Sequence, residues 1–254
     1  MLKTKAKIVK NTRVAKNYHK ILLSAAQIAK AAKPGQFLSI KVSDNYGPLL
    51  RRPFSVHRAA GSNIEVLYEV VGEGSRILSG RKPGEYLDII GPLGNGFSIA
   101  RAGRPILVAG GMGVAPLVFL AEKLTGSGAL VLIGAKTKGH IPCEKEFINA
   151  GCEVKIATDD GSRGFKGYVT DLLKKTLSAA DYRRSTIYAC GPGPMLKGVS
   201  RVSEERNIPA QVSLEAHMAC GIGACLGCVV WTKDGYKRVC KEGPVFEANQ
   251  IIWG

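Results

Sequence analysis

No run of about 18 apolar residues occurs in this 254-residue chain, so a helical membrane span is not expected. The first residues, Met1 to Lys7, alternate polar with apolar and lack the apolar stretch of a secretion signal. Export is not expected either, and the cytoplasm is the expected compartment. Histidine is scarce. His19, His57, His140 and His217 stand apart, with no spacing that suits a metal or a proton relay. No Ser/His/Asp arrangement and no pair of carboxylates placed for acid–base work stands out. The chain is therefore expected to hold no catalytic acid, base or nucleophile of its own. The G-x-G-x-x-G nucleotide fingerprint is missing. Cysteine occurs seven times, an odd count with four residues bunched together. That does not make a disulfide framework and suits a reducing compartment.

Acidic residues are nearly absent from the N-terminal quarter. Residues 1–60 hold 13 Lys/Arg and one acid, Asp44, for a local net charge of +12 in a chain of formal net charge +16. Such an excess could meet nucleic acid or an acidic membrane. The pattern favours a solvated basic face instead, because Lys3, Lys5 and Lys7 alternate with apolar residues as on the outside of a sheet. No recognition helix or RNA-binding aromatic motif accompanies them, which argues against a nucleic-acid partner. Part of the charge could still face cofactor phosphates or an acidic partner. Hydrophobic residues are 45% and charged residues 22% of the chain, ordinary for a soluble globular protein of one to three domains.

What the chain does have is a dense cysteine loop, Met218–Cys228. Cys220, Cys225 and Cys228 lie in it and Cys240 follows, spaced C-x4-C-x2-C-x11-C. Four thiolates this close bind soft metal, and the x4, x2 order is the plant-type 2Fe–2S pattern. Structural zinc more often uses two short C-x2-C-like pairs. Gly221, Gly223 and Gly227 are expected to take positive φ, curling the backbone and pointing N–H groups at sulfur. Zinc and four unliganded thiols are the alternatives. Cys143, Cys152 and Cys190 are scattered elsewhere.

Upstream, Lys5–Lys10, Tyr18–Leu23, Gln36–Val42, Ile64–Val71 and Tyr86–Ile90 read as short strands between Gly/Pro turns. They predict a small antiparallel barrel. Leu50-Arg-Arg-Pro-Phe-Ser55 falls on one of its strands. Arg52 could pair with a diphosphate. Pro53 and Phe54 offer flat apolar surface, and Ser55 could donate to a flavin ring nitrogen. A basic strand edge with a core Phe is the plainer alternative. Leu67-Tyr-Glu69 adds to the first reading. So does the turn Val71-Gly-Glu-Gly-Ser75, which enters a helical segment at 75–78, since helix N-termini suit phosphate. The Gly-rich stretch Gly91–Phe97 marks a domain boundary.

From Arg104 on, strands alternate with helices. Arg104–Ala109 runs into Gly110-Gly-Met-Gly-Val-Ala-Pro116 and the apolar helix Leu117–Leu124, a phosphate-cradling order. Further strands are expected at 129–134, 153–158, 186–189 and 211–214, and helices at 143–150, 170–177 and 195–206. Five such β-units predict a doubly wound parallel sheet that binds ligands at the C-terminal strand ends. The glycine turns at 110–113 and 190–194 fall there. Cys190 is either a small buried hydrophobe or a neighbour of a nicotinamide ring. Asp159 and Asp160 are turn formers or a ribose contact. Lys136 and Lys138 are solvated loop residues or partners of a 2′-phosphate.

Barrel, α/β domain and cysteine tail, in that order, resemble the ferredoxin–NADP reductase superfamily. More narrowly, the chain resembles electron-transfer subunits of class 1B dihydroorotate dehydrogenases. The resemblance spans essentially the whole chain. It is carried by RRPFS at 51–55, VVGEGS at 70–75, GPLGNGF at 91–97, GGMGVAPL at 110–117, ACGPGPML at 189–196, MACGIGACLGC at 218–228 and VCKEGPVF at 239–246. It implies a fold class of α/β plus all-β. An antiparallel FAD-binding β-barrel would cover 1–100, a doubly wound NAD-binding domain 101–214, and a small plant-type 2Fe–2S domain 215–254. It implies FAD on Arg52, Pro53, Phe54, Ser55, Leu67, Tyr68, Glu69, Gly74 and Ser75. NAD would lie on Gly111, Gly113, Cys190, Gly191 and Pro192, and the cluster on Cys220, Cys225, Cys228 and Cys240. Electrons would pass from an FMN-containing catalytic subunit through the cluster and FAD to NAD+ in pyrimidine biosynthesis, in a heterotetramer of two of each subunit. The departures are Glu69 where a basic residue is common, Ser75 where Thr is common, and Ala216-His217 in place of a Glu/Arg-like pair. A reductase subunit of another NAD(P)H system, such as a ferredoxin:NADP+ oxidoreductase or a sulfur-reducing hydrogenase, shares all three modules. A non-enzymatic basic module with structural zinc is the reading of a different class.

Overall fold

The computed structural model describes residues 1–45, 47–100, 103–179 and 182–254. The boundary expected at 100/101 adjoins Arg101 and Ala102, outside the described residues. The first part is a seven-stranded antiparallel sheet of β1 (Leu2–Ala15), β2 (Tyr18–Ser24), β3 (Phe37–Lys41), β4 (Arg52–Ser55), β5 (Arg58–Ala60), β6 (Asn63–Glu69) and β7 (Tyr86–Leu93). Its order is β4-β3-β7-β1-β2-β6-β5. Period-two alternation in β1 buries Ala6 and Ile8 and leaves Lys3, Lys5 and Lys7 in solvent. The sheet curls until β4 meets β6, where the Phe54 and Tyr68 rings lie 5.6 Å apart. Two helices complete this part, α1 (Ala26–Ala31) and α2 (Glu73–Gly80). The sequence pattern does not predict α1. It has six residues and no side-chain cap, and burial of Ile28 and Ala29 holds it.

The second part is a parallel sheet of β8 (Ile106–Gly110), β9 (Leu130–Ala135), β10 (Glu153–Thr158), β11 (Phe165–Lys166), β12 (Ile187–Cys190) and β13 (Ala210–Ser213). Its helices are α3 (Val114–Lys123), α4 (Glu144–Asn149), α5 (Val169–Ala179) and α6 (Gly193–Arg206). Every residue of β8 is buried, as a strand covered on both faces requires. Helix α3 is buried from Val114 to Ala121 because it is wedged between two cores. Leu117, Val118 and Leu120 pack on the parallel sheet, while Phe119 enters the core of the barrel.

The tail contributes a hairpin, β14 (Val229–Thr232) and β15 (Gly235–Arg238), and a last strand, β16 (Val245–Glu247). Strand β16 pairs antiparallel with β13 and extends the parallel sheet to the order β11-β10-β9-β8-β12-β13-β16. Ala248 and Ile251 are buried in that sheet's core. The segment expected as a small separate domain is thus stitched into its neighbour, which supplies the core it is too short to build.

Barrel and α/β part are locked by a half-buried ion-pair network. His57 has no exposed surface, and its Nδ1 donates to the Ala115 carbonyl at 2.8 Å. Its Nε2 lies 3.0 Å from a Glu146 oxygen. Lys20 reaches the other Glu146 oxygen at 2.7 Å, and Arg58 lies 3.1 Å from Oε2. Arg58 also pairs with Glu122 on α3. Lys20, His57 and Arg58 come from the barrel, Glu122 and Glu146 from the α/β part. Burial alone would raise the Glu146 carboxyl, but the hydrogen bond and charge of His57, and then Lys20, hold it well below its usual range.

Replacing Glu146 by Ala removes the carboxylate that Lys20, His57 and Arg58 share in a half-buried seam, leaving Glu65 and Glu122 as the remaining acids there. Stability at pH 7 is expected to fall by roughly 2–3 kcal/mol, less than for a fully buried pair, in urea unfolding followed by circular dichroism. A depressed acid stabilises the fold above its ordinary value near 4.5, and that contribution is lost as pH falls below it. The gap between wild type and Glu146→Gln should therefore narrow from pH 7 to pH 4; a constant gap would place the stabilisation elsewhere.

Candidate metal centre and nucleotide cleft

The four clustered cysteines come together. Cys228 and Cys240 are buried, Cys220 is half-buried and Cys225 is exposed. Strand β3 and β7 supply the floor, since Phe37 and Leu93 pack with Cys228, Val239 and Cys240 in one buried group. Backbone N–H groups point at sulfur. Ala224 and Cys225 donate to Cys220 Sγ at 3.3 and 3.4 Å, Gly227 to Cys225 Sγ at 3.4 Å, and Cys240 to Cys228 Sγ at 3.4 Å. Such donors favour thiolate and stabilise charge on ligand sulfur. Burial raises the Cys220 thiol, but N–H groups of Ile222, Cys225 and Ala224 outweigh it and bring it to about 6. Cys240 is pushed up to about 12 by burial and by Cys228. The donor set is four sulfurs in a cage already shaped by the backbone, and it fits a 2Fe–2S cluster.

Gly221 and Gly223 take positive φ, 68° and 87°, as expected. Gly227 does not. Leu226 turns the chain instead, at φ 57°, a conformation that costs a non-glycine residue about 1 kcal/mol. Its side chain is 62% exposed. The reason is local: Gly227 N–H is aimed back at Cys225, so the turn must be made one residue earlier.

On the barrel, Arg52, Pro53, Phe54 and Ser55 form β4 and are all half-buried. A Cβ on Gly74 would lie 2.7 Å from Arg52 Nε, so glycine lets the guanidinium lie over the start of α2. There Val71 and Gly72 donate to Ser75 Oγ at 3.0 and 3.2 Å. The far end of α2 is fixed by Asn11, whose amide donates to Leu78 and Arg81 carbonyls at 2.9 Å each. Tyr68 donates to that same Asn11 at 3.1 Å. A cation beside a helix N-terminus suits a diphosphate. Leu67 and Tyr68 have buried side chains, in the interdomain and barrel cores respectively. What they can offer a ligand is backbone. Glu69 borders the cleft described next.

That cleft, of about 920 Å³, opens between the barrel and the C-terminal ends of β8, β9, β10 and β12. Gly111, Gly113 and the Gly191-Pro192 turn lie along it. A Cβ on Gly113 would collide with the Cys190 carbonyl, so glycine is required for the two turns to pack backbone on backbone. Cys190 ends β12, fully buried, and burial, with Glu215 next, pushes its thiol up. It packs in the sheet core, and the residues that line the cleft are the next two, Gly191 and Pro192. The two aspartates have different jobs. Asp160 Oδ1 accepts from Ser162 N and Oγ at 2.9 and 2.6 Å, a turn former. Asp159 borders the cleft, as does Lys136, whereas Lys138 is exposed.

Sequence reasoning misses Glu215. It follows β13 and borders the cleft as an exposed residue, and the protein packed around its carboxyl raises it by desolvation. The available signal is a carboxylate two residues past the end of the last parallel strand, at the ligand end of the sheet. Tyr18, His140 and Tyr168 also reach the cleft, from places no motif marks, and Met195 does so from the ACGPGPML stretch. His57, Cys143 and Glu146 bring ligand atoms within 4.8 Å of one another. The Glu146 oxygens are already taken by Lys20, Arg58 and His57, so this group is an ion-pair latch and not a metal centre.

Residues 215–252 match the model of the iron-sulfur cluster binding domain of dihydroorotate dehydrogenase B, and residues 107–201 match the oxidoreductase NAD-binding domain. A relative from Desulforamulus reducens, named dihydroorotate dehydrogenase B (NAD(+)), electron transfer subunit, is 43% identical, covering 98% of this chain and 97% of its own. A protein of the same name from Geobacillus sp. is 41% identical over 96% of each chain. Among solved structures, a chain of an NADH-dependent reduced ferredoxin-NADP oxidoreductase superposes with a TM-score of 0.88 at 30% identity, covering 98% of this chain and 90% of that one. The chain belongs to the family of dihydroorotate dehydrogenase B electron transfer subunits.

Proposed function

We propose that this chain carries electrons from the FMN of a dihydroorotate dehydrogenase catalytic subunit, by way of a 2Fe–2S cluster and FAD, to NAD+ in pyrimidine biosynthesis. The observation that carries this reading is the cysteine cage built on the floor of the barrel, in the same chain as a glycine-lined nucleotide cleft. When bound, FAD exchanges hydride with nicotinamide and single electrons with the cluster, which no side chain can do.

The chain's own residues bind, orient and insulate. Cys220, Cys225, Cys228 and Cys240 hold the cluster. Arg52 and the start of α2, with Gly74 and Ser75, take the FAD diphosphate. Pro53, Phe54 and Ser55 line the ring, and Leu67, Tyr68 and Glu69 contribute backbone. Gly111, Gly113, Cys190, Gly191 and Pro192 border the nicotinamide nucleotide. The working division is 1–100 for FAD, 101–214 for NAD and 215–254 for the cluster, with β16 lent to the middle part. The subunit works in the cytoplasm, in a heterotetramer of two of each subunit. In support, no helix among the described residues is long and apolar enough to cross a membrane, and the cysteines are unpaired thiols. Ile222 and Leu226 are exposed beside Cys225, apolar side chains suited to a partner's surface.

The likeness to the reduced ferredoxin-NADP oxidoreductase supports a second reading, a reductase subunit of another NAD(P)H system. The partner decides. A catalytic subunit carrying FMN that co-purifies and oxidises dihydroorotate supports the first reading; a larger flavoprotein supports the second.

Cys225→Ser should abolish electron transfer between the partner and NAD+ while NADH reduction of a dye through FAD stays within about twofold of wild type. Loss of both would contradict the order of sites. Leu226→Glu should weaken subunit association at least tenfold by analytical ultracentrifugation, with iron per chain unchanged. Unaltered association would move the docking surface elsewhere.

A further inference from the structure

Arg238 ends β15, two residues before Cys240. Its guanidinium is a fork with two targets. Nε and Nη2 grip the carboxylate of Glu242, with Nε 3.0 Å from Oε2. Nη1 donates to the carbonyl of Gly223 at 2.7 Å. Gly223 lies between Cys220 and Cys225, so a side chain from the buried half of the cage reaches across and fixes the outer half. The Arg238 backbone is tied in as well. Its N–H donates to Glu242 Oε2 at 2.7 Å. Its carbonyl accepts from Lys241, Glu242 and Gly243 at 3.1, 2.9 and 3.2 Å. Next to it, Val239 N–H donates to the Cys228 carbonyl at 2.9 Å.

Both charges are substantially shielded from water. The Arg238 side chain is 26% exposed and that of Glu242 29%. Arg238 is within electrostatic reach of both Cys228 and Cys240. Ion pairs at fixed orientation in a partly buried place act on nearby charge more strongly than surface ones do. One-electron reduction adds negative charge at the cage, and reduction potentials of such clusters respond to charge and hydrogen bonding around the sulfurs. A cation beside the cage therefore raises the potential and an anion lowers it. Here the two are locked together, the cation joined to the cage loop and the anion neutralising it from behind.

We propose that the Arg238–Glu242 pair sets the reduction potential of the cluster, with Arg238 raising it and Glu242 holding it down. This rests on the four cysteines binding a 2Fe–2S cluster. Arg238 is a positioning residue for the cage loop, and the charge effect is separable from that role by the choice of variant.

The test is a redox titration of the purified chain at pH 7, followed by electron paramagnetic resonance, with iron per chain measured first. Wild type without iron would sink the metal assignment itself, and that failure is distinct from the one tested next. Arg238→Gln should lower the midpoint potential and Glu242→Gln should raise it. Poised at the wild-type midpoint, Arg238→Gln would be mostly oxidised and Glu242→Gln mostly reduced. Arg238→Lys keeps the charge without the fork and should stay near wild type. A structural role alone predicts that all three variants move in one sense or lose iron together. Shifts of the same sign in Arg238→Gln and Glu242→Gln, or no shift in either, would overturn the proposal. If Arg238→Gln comes without iron, a raised potential in Glu242→Gln beside an unmoved Arg238→Lys still supports it, and an unmoved Glu242→Gln overturns it.

Discussion

The hydrogen bond from Asn95 N–H to the Gly243 carbonyl, 2.6 Å long, holds the three parts of the chain at one point. Asn95 lies in the connector that leaves the barrel. Gly243 lies three residues past the last cage cysteine. A Cβ on Gly94 would fall 2.5 Å from that same carbonyl, so the connector and the tail touch backbone to backbone. The Asn95 side chain adds a bond to the Glu242 carbonyl at 2.9 Å. Two residues on, Phe97 N–H donates to Pro34 in the barrel at 2.8 Å, and its ring stands edge-on to Tyr188 of β12. Tyr188 and Gln211 then take Ser98 and Ala100, with Ala100 N–H on the Tyr188 oxygen at 2.9 Å and Ser98 N–H on Gln211 Oε1 at 2.9 Å. A chain that relays electrons among three sites must fix the distances between them. Here a glycine-rich stretch that looks like a linker is a rivet.

The rivet works with the ion-pair seam. The connector fixes tail and sheet to the barrel near the cage. The seam of Lys20, His57, Arg58, Glu122 and Glu146 fixes α3 and α4 to the barrel. The glycine-lined cleft opens between the parts that these two attachments join. Along it the 110–113 and 190–191 turns meet backbone to backbone, so closely that a side chain at Gly113 would not fit. A cleft lined by glycine backbone suits a nucleotide, whose phosphates approach the main chain closely.

Legibility from sequence followed the physical origin of each feature. The cysteine spacing was readable because bonding to metal fixes how far apart ligands can be along a chain. The strand–glycine–helix order was readable because close packing of backbone on phosphate or backbone admits one residue type. Helix α1 was not, since its propensity and caps are poor and burial of Ile28 makes it. Strand β16 was not, since three residues carry no period and β13 supplies the pairing. The turn at Leu226 was not, since glycine was present next door and the geometry of Gly227 N–H on sulfur displaced it. The His57 seam belongs to no local pattern, because its partners are distant in sequence and only the tertiary fold assembles them; Glu215 carried one cue, its place just after β13 at the ligand end of the sheet.

The cage itself is lopsided, and that has a consequence. Cys228 and Cys240 are buried against Phe37 and Leu93, while Cys220 and Cys225 face outward beneath Ile222 and Leu226. Burial and the neighbouring Cys228 push the Cys240 thiol up, while backbone N–H donors bring that of Cys220 down. Metal binds thiolate, so loading at Cys240 releases a proton. The Arg238–Glu242 fork spans the two halves. It places a cation within electrostatic reach of Cys240 and Cys228, and through Gly223 it holds the outer loop in the shape whose N–H groups already face sulfur. Assembly of the cage and the electrical environment of what it holds are thus set by the same pair of side chains.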